Sequence, residues 1–211
     1  LGIIRKSKST QVVTKFLNKY KYKGNPADFE GARIFSRNRD VDEYNVSKLK
    51  SLDGKMVTYK TKFVGEEFYI NNLKKNLVIK DEIALKKGSL VMTRVNNKSE
   101  GYINGTMGYV IAITNNKLKI RTLDGKTILV SPHVFEYLDG SGKLVAAAKN
   151  FPITLAWAIT IQKSQGSSLD SALIDLNRLW LPGQAYTALS RLKSPNGLHI
   201  LSWDKKSIIA D

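Results

Sequence analysis

The chain has 211 residues, 42% of them hydrophobic, enough to bury a core and too apolar for a disordered chain. It has no cysteine and two scattered histidines, which excludes disulfides and thiolate metal sites and argues against a catalytic metal cluster. Thirty-four Lys and Arg against eighteen Asp and Glu give a net charge of +16, a field that attracts polyanions, nucleic acid first among them; a merely lysine-rich proteome is the competing reading.

The apolar stretch 155–161 is far too short to span a bilayer, and the opening Leu-Gly-Ile-Ile-Arg-Lys does not resemble a signal peptide. No membrane association is therefore expected, and the bacterial cytoplasm or nucleoid is the expected location. Leu1 is not an initiator methionine, so a fragment of a longer protein is expected.

In chain order, residues 1–25 form a basic lead-in with a helical pattern at Val12, Val13, Phe16, Leu17 and Tyr20, stopped by Gly24-Asn25-Pro26. Ala32-Arg33-Ile34-Phe35 reads as a short strand. Residues 41–52 read as a helix ended by Asp53-Gly54. Between residues 87 and 137 the texture becomes short β-rich runs at 90–95, 107–114, 117–122 and 127–130. Asn115-Asn116 and Asp124-Gly125 supply tight hairpin turns there, and the spacing predicts a small antiparallel barrel. After Gly140-Ser141-Gly142, residues 144–148 read as a strand, 153–164 as mostly helical, 172–176 as a strand buried on both faces, 184–191 as a helix and 198–203 as a last strand. That alternation predicts a parallel α/β sheet with crossover helices. The chain would leave the sheet to build the barrel and then return, giving 26–84 and 141–211 to the α/β lobe and 85–140 to the insert.

Two stretches carry the chemistry. Residues 151–170 end in a loop of amides, hydroxyls, Lys163 and a flexible Gly166, groups suited to phosphate or sugar oxygens. Residues 182–191 place a single guanidinium, Arg191, at the end of an otherwise neutral helix, where it can grip phosphate bidentately or pair with Asp170 or Asp175.

These stretches resemble motifs V and VI of superfamily 1 helicases in the RecD-like and Pif-type branch, which reads LAWA-T-HKSQG and then GQAY-ALSR. The match runs through Leu155-Ala156-Trp157-Ala158-Ile159-Thr160-Ile161-Gln162-Lys163-Ser164-Gln165-Gly166 and Gly183-Gln184-Ala185-Tyr186-Thr187-Ala188-Leu189-Ser190-Arg191. Ile34-Phe35-Ser36-Arg37-Asn38 with Val41-Asp42-Glu43-Tyr44-Asn45 is similar to the motif IV region. Leu85 to Met92 and Asn104-Gly105-Thr106-Met107-Gly108 look like the opening of that family's SH3-like insert. The resemblance covers residues 30 to 203.

It implies the second RecA-like lobe of a DNA helicase motor, interrupted by an SH3-like barrel that supports DNA or a strand-splitting pin. Arg191 would be the arginine finger. Gln165, Gly166, Gln184 and Arg37 would face the nucleotide, Gln184 by orienting the finger. Thr160, Gln162, Lys163, Ser36 and Asn38 would hold single-stranded DNA. The implied cofactors are ATP and Mg2+, bound mainly by an N-terminal RecA-like lobe outside these residues. The implied partners are that lobe, single-stranded DNA and DNA forks, acting as a monomer in replication or repair with 5′-to-3′ movement. Gln162 stands where the family usually has His, which removes a charge from that contact.

Other signals weigh less. Gly125-Lys126-Thr127 mimics the end of a P-loop, but Ile120 stands where the first glycine belongs and Asp124-Gly125 reads as a hairpin turn. Residues 77–82 mimic a magnesium-binding strand without a P-loop before them. Asn97-Lys98-Ser99 and Asn104-Gly105-Thr106 match glycosylation acceptors irrelevant to an intracellular chain. His133 and His199 read as local hydrogen-bonders, and Tyr59, Phe63, Phe68 and Tyr69 as core aromatics rather than base stackers. Without a P-loop the chain is not expected to hydrolyse ATP alone. The competing readings are a stand-alone nucleic-acid-binding module and a RecD-like subunit of a repair nuclease.

Overall fold

The computed structural model describes residues 10–29, 31–165, 169 and 171–204. In chain order it contains helix α1 (Thr10–Lys19), strand β1 (Ala32–Phe35), helix α2 (Asn38–Ser51), strands β2 (Val57–Lys60) and β3 (Lys62–Gly65), and helix α3 (Glu67–Leu77). Strands β4 (Glu82–Leu85), β5 (Leu90–Thr93), β6 (Met107–Ile113), β7 (Leu118–Thr122), β8 (Thr127–Val130), β9 (His133–Leu138), β10 (Leu144–Asn150), β11 (Ile153–Leu155), β12 (Ala158–Thr160) and β13 (Ala172–Leu176) follow. Helix α4 (Gln184–Leu189) and strand β14 (Leu198–Trp203) complete it. The chain divides into two compact units, Leu1–Lys48 with Ala156–Asp211, and Leu49–Leu155.

The first unit is built on a parallel sheet in the order β12-β1-β13-β14. Ile34, Ile159, Leu173, Ile174 and Ile200 are fully buried, as expected of strands covered on both faces. Beside β14, Tyr22 N–H donates to Ile200 O and Ile200 N–H to Tyr20 O at 2.9 Å each, so residues 20–22 cover that edge. Arg33 is buried, with its guanidinium 4.4 Å from the Tyr44 ring centroid and 5.9 Å from that of Phe29, and it donates to Pro26 O.

The second unit holds three antiparallel sheets, in the orders β11-β5-β6-β7-β8, β3-β10-β9 and β2-β4. The five-stranded sheet closes over Leu85, Val91, Val110, Leu118, Ile120 and Val130. Helix α3 packs on the three-stranded sheet through Leu73, Ile79 and Phe135. Val78 ends α3 in the left-handed region at φ 49°, a strained place for a β-branched residue. Arg94 donates to the carbonyls of Leu77 and Val78 there and lies 5.6 Å from the Phe135 ring centroid. Burial pushes the Arg94 guanidinium below its usual pKa.

The α/β architecture with a separate antiparallel part agrees with the expectation from sequence, and several local expectations change. Residues 153–164, expected to be helical, form β11, β12 and one tight turn. Ile153, Thr154, Ile159, Thr160 and Ile161 are β-branched and favour extended backbone. Strand β10, expected in the parallel sheet, pairs with β3 and β9 instead, and β12 fills the edge beside β1. No crossover helix is present among the described residues between β12 and β13. Phe68, read as a core aromatic, is 68% exposed, whereas Tyr59 packs on Phe151 at 4.8 Å and Phe63 joins the three-stranded sheet's core. His133 and His199 pack against aromatic rings. Gly125 has φ 87° in the β7–β8 turn, where Thr122 N–H donates to Lys126 O at 2.8 Å, so the P-loop look-alike is a hairpin.

Candidate nucleotide and nucleic-acid site

The carboxyl ends of β1 and β12 lie side by side, with Phe35 and Thr160 in register. Residues 36–38 and 161–165 therefore leave adjacent strands at one edge, the place where open α/β sheets hold ligands. Ile161 N–H donates to Phe35 O at 3.1 Å and joins the two exits.

Ser36 and Thr160 are both buried here. Ser36 Oγ donates to Asn177 O at 3.4 Å, and Thr160 Oγ1 accepts from Lys163 N–H at 3.2 Å. Ser164 N–H donates to Thr160 O at 2.9 Å, and its fully buried Oγ donates to Ile161 O at 2.6 Å. These residues shape a single tight turn. The groups that it presents to solvent are Gln162 and Gln165, with Lys163 half-buried between them. Arg37 and Asn38 are exposed at the start of α2, beside the residues expected to hold DNA. Gly166 lies outside the described residues.

Arg191 follows α4, which ends at Leu189 rather than at the expected residue 191. Leu169 N–H donates to Arg191 O at 2.8 Å and Lys193 N–H to Leu169 O at 3.0 Å, so Arg191 stands beside the segment that enters β13. Its Nε donates to Thr187 O at 3.0 Å and its Nη2 to Ser190 Oγ at 2.7 Å. The Asp175 carboxylate accepts instead from Ser202 Oγ at 2.6 Å and Asn177 N–H at 2.9 Å, so the alternative pairing of Arg191 with Asp175 is not formed. Asp170 lies outside the described residues. Two of the five guanidinium donors are used on described residues, both by neutral acceptors, and the planar fork keeps a bidentate edge for an anion.

Gln184 is buried. Its Oε1 accepts from the N–H groups of Trp180 (3.1 Å) and Leu181 (3.3 Å), fixing the loop before α4, and its Nε2 has no acceptor among the described residues. Both Trp180 and Leu181 are half exposed.

Asn45, which stood in the motif IV stretch without a role of its own, clasps β12. Asn45 on α2 donates through Nδ2 to Ala158 O and accepts through Oδ1 from Ala158 N–H, at 2.9 Å each, in full burial. The amide completes the outer edge of β12 as a neighbouring strand would. Its signals in the sequence were its place in the motif IV stretch and a polar residue on the apolar side of a helix. The Asp175–Ser202–Asn177 network, closed by Asn177 Nδ2 donating to Ser202 Oγ at 2.6 Å, likewise needed the fold to bring it together.

The donor set fits one side of a polyphosphate: a guanidinium, exposed amides and a lysine. Among the described residues no group of three or more His, Asp or Glu could hold a metal ion, and no helix is long and apolar enough to cross a membrane.

No family model matches the chain. The ATP-dependent DNA helicase Pif1 of Bdellovibrio bacteriovorus is 39% identical over all 211 residues, which cover 48% of that protein. The unliganded structure of Pif1 from Bacteroides superimposes with a TM-score of 0.82 at 28% identity, over the whole of this chain and 50% of that one. Bacteroides Pif1 in complex with ADP-AlF3 and single-stranded DNA superimposes with a TM-score of 0.77 at 28% identity, over the whole of this chain and 49% of that one. The chain thus spans about half the length of the relatives it matches. By sequence and by fold, it belongs to the Pif1-type helicases of superfamily 1.

Proposed function

We propose that this chain is the second half of an ATP-driven DNA helicase motor, supplying an arginine finger and part of a single-strand track, with the P-loop on a lobe outside these residues. The observation that carries the reading is Arg191: a half-buried guanidinium bonded only to neutral acceptors among the described residues, on a residue whose carbonyl accepts from Leu169 N–H, four positions after Gln165. A cation so placed neutralises charge on a transferring phosphoryl group, an effect worth about 10³ to 10⁵ in rate in related NTPases.

Gln165, Gly166 and Gln184 face the nucleotide in this reading, Gln184 by holding the loop that leads into α4. Gln162, Lys163 and Asn38 meet the strand's phosphates, and Arg37, next to Asn38 at the start of α2, faces the nucleotide. Ser36 and Thr160 act through the shape of the turns. Magnesium belongs with the phosphates on the other lobe. Bacteroides Pif1 has been captured with ADP-AlF3 and single-stranded DNA, which supports nucleotide and strand as the ligands here.

The test is DNA-stimulated ATP hydrolysis by the intact parent protein, wild type against Arg191→Ala. We expect turnover to fall by about a thousandfold or more with ATP binding retained. Unchanged turnover would make Arg191 structural and leave only the DNA-binding part of the reading.

A further inference from the structure

Two irregularities of the parallel-sheet unit fall in one short loop. Among the described residues of that unit, Arg178 is the one other than glycine with a positive φ, 57°, a narrow well for any residue with a Cβ. Gln184 Nε2 is the one buried side-chain nitrogen or oxygen without a partner among the described residues. The loop between them runs from Asn177, just past β13, to Gln184, the first residue of α4.

At the near end Asn177 is tied three ways. Its N–H donates to Asp175 Oδ1 at 2.9 Å, its Nδ2 donates to Ser202 Oγ at 2.6 Å, and its carbonyl accepts from Ser36 Oγ at 3.4 Å. Ser202 Oγ in turn donates to Asp175 Oδ1 at 2.6 Å, so one hydroxyl joins the ends of the paired strands β13 and β14 to the loop. At the far end the N–H groups of Trp180 and Leu181 converge on Gln184 Oε1. Because Nε2 finds no acceptor among the described residues, the loop is what orients this amide. Helix α4 has six residues, about 9 Å at 1.5 Å per residue, and moves as one piece. Arg191 Nε donates to Thr187 O on that helix at 3.0 Å, so the guanidinium travels with it.

We propose that Ser202 is a positioning residue for Arg191, acting through Asn177, the left-handed turn at Arg178, Gln184 and α4. Ser202, Asn177 and Arg178 lie outside the motif stretches, and their part is to fix where the guanidinium stands. A displacement of about 1 Å at a reacting site costs up to about a hundredfold in rate, so a hydroxyl at the far end of a loop can govern turnover. The inference rests on the finger reading of Arg191.

The experiment is steady-state and single-turnover ATP hydrolysis by the full-length protein at saturating oligothymidylate. Ser202→Ala is expected to lower kcat about tenfold, with KM for ATP and the affinity for the oligonucleotide within about twofold of wild type. Ser202→Thr keeps the hydroxyl and restores the rate. In the Arg191→Ala background Ser202→Ala costs nothing further, because residues acting through one group are not additive. Arg178→Gly frees the turn and leaves the ties of Asn177 in place. It lowers kcat in the same way while the melting temperature holds or rises, which a merely structural role would not produce. Arg178→Ala keeps a Cβ in the left-handed well and turns over as wild type. The Arg178 pair decides the matter even where Ser202→Ala does not fold.

The proposal is overturned by any of three results: Ser202→Ala turnover within about twofold of wild type, its loss persisting undiminished in the Arg191→Ala background, or Arg178→Ala losing as much as Arg178→Gly. Unchanged turnover in Arg191→Ala defeats the finger reading and leaves nothing to position. A loss of about a thousandfold there, with Ser202→Ala at the wild-type rate, defeats the positioning role alone.

Discussion

In the parallel-sheet unit, polar side chains reach across long stretches of chain: Asn45 to Ala158, 113 residues apart, Ser36 to Asn177, 141 apart, and Asp175 to Ser202, 27 apart. In the antiparallel unit many polar contacts close a turn within four residues, as at Thr114 with Lys117, Thr122 with Lys126 and Asp139 with Lys143. Others there reach further, as from Asn150 to Tyr59 and Thr61, Tyr59 to Thr114, Lys86 to Leu52 and Ser131 to Glu100, the longest spanning 91 residues. The difference teaches what each unit is built for. Strands buried on both faces leave only their ends to do chemistry, and those ends must be aligned by distant residues. Hairpin turns secure themselves locally, whatever longer contacts join one hairpin to the next.

The largest expected stability effect lies in the antiparallel unit. Leu118 is fully buried on β7, in the core that the five-stranded sheet covers. Leu118→Ala should cost about 3 to 5 kcal/mol through lost transfer energy and a cavity. Denaturant unfolding checks the loss, and turnover per folded molecule should stay at the wild-type value. A proportional fall in turnover would show that the local unit controls the motif-bearing one, breaking the contrast.

Asn45→Ala tests the opposite case with a smaller energy. It leaves the N–H and C=O of Ala158 without partners at a buried strand edge, a loss of about 2 to 3 kcal/mol. Amide exchange at Ala158 should quicken while Ile120 stays protected, and DNA-stimulated turnover should fall because β12 carries the turn with Gln162 and Lys163. Wild-type turnover with a destabilised sheet would reduce Asn45 to a purely structural clasp.

The same contrast explains what could be read from the residues alone. Turn pairs such as Asn115-Asn116 and the alternation of β7 are local signals, so the hairpins of the antiparallel unit were legible, with strand ends close to those expected. Strand β12 was not. Ala158-Ile159-Thr160 is buried on every side and shows no period, and an apolar run of that kind reads equally well as helix. The motif stretches identified the chemistry, yet not the division of labour inside it. Whether Thr160 touches a ligand or caps a turn depends on burial, which spacing does not encode. The segment 55–84 carried no clear pattern because its three strands are four residues each and its helix covers only a small sheet.

The smallest effect comes from a turn. The Asp139 carboxylate accepts from the Ser141 hydroxyl at 2.6 Å and from the N–H groups of Lys143 at 3.0 Å and Ser141 at 2.8 Å, which holds its pKa below the usual carboxylate range. A carboxyl whose folded pKa is depressed stabilises the fold fully above its unfolded pKa, and the gain is lost as pH falls through the folded value. The melting-temperature advantage of wild type over Asp139→Asn should therefore be complete near neutral pH and shrink toward zero in acid. Because the turn is closed by its own residues, faster amide exchange should stay within the β9–β10 hairpin, at Ala146 and Ala148, with Ala158 unaffected. A pH-independent difference would mean that the Asp139 charge contributes nothing to the turn. Spread of the exchange to Ala158 would mean that hairpins in this unit are not self-contained.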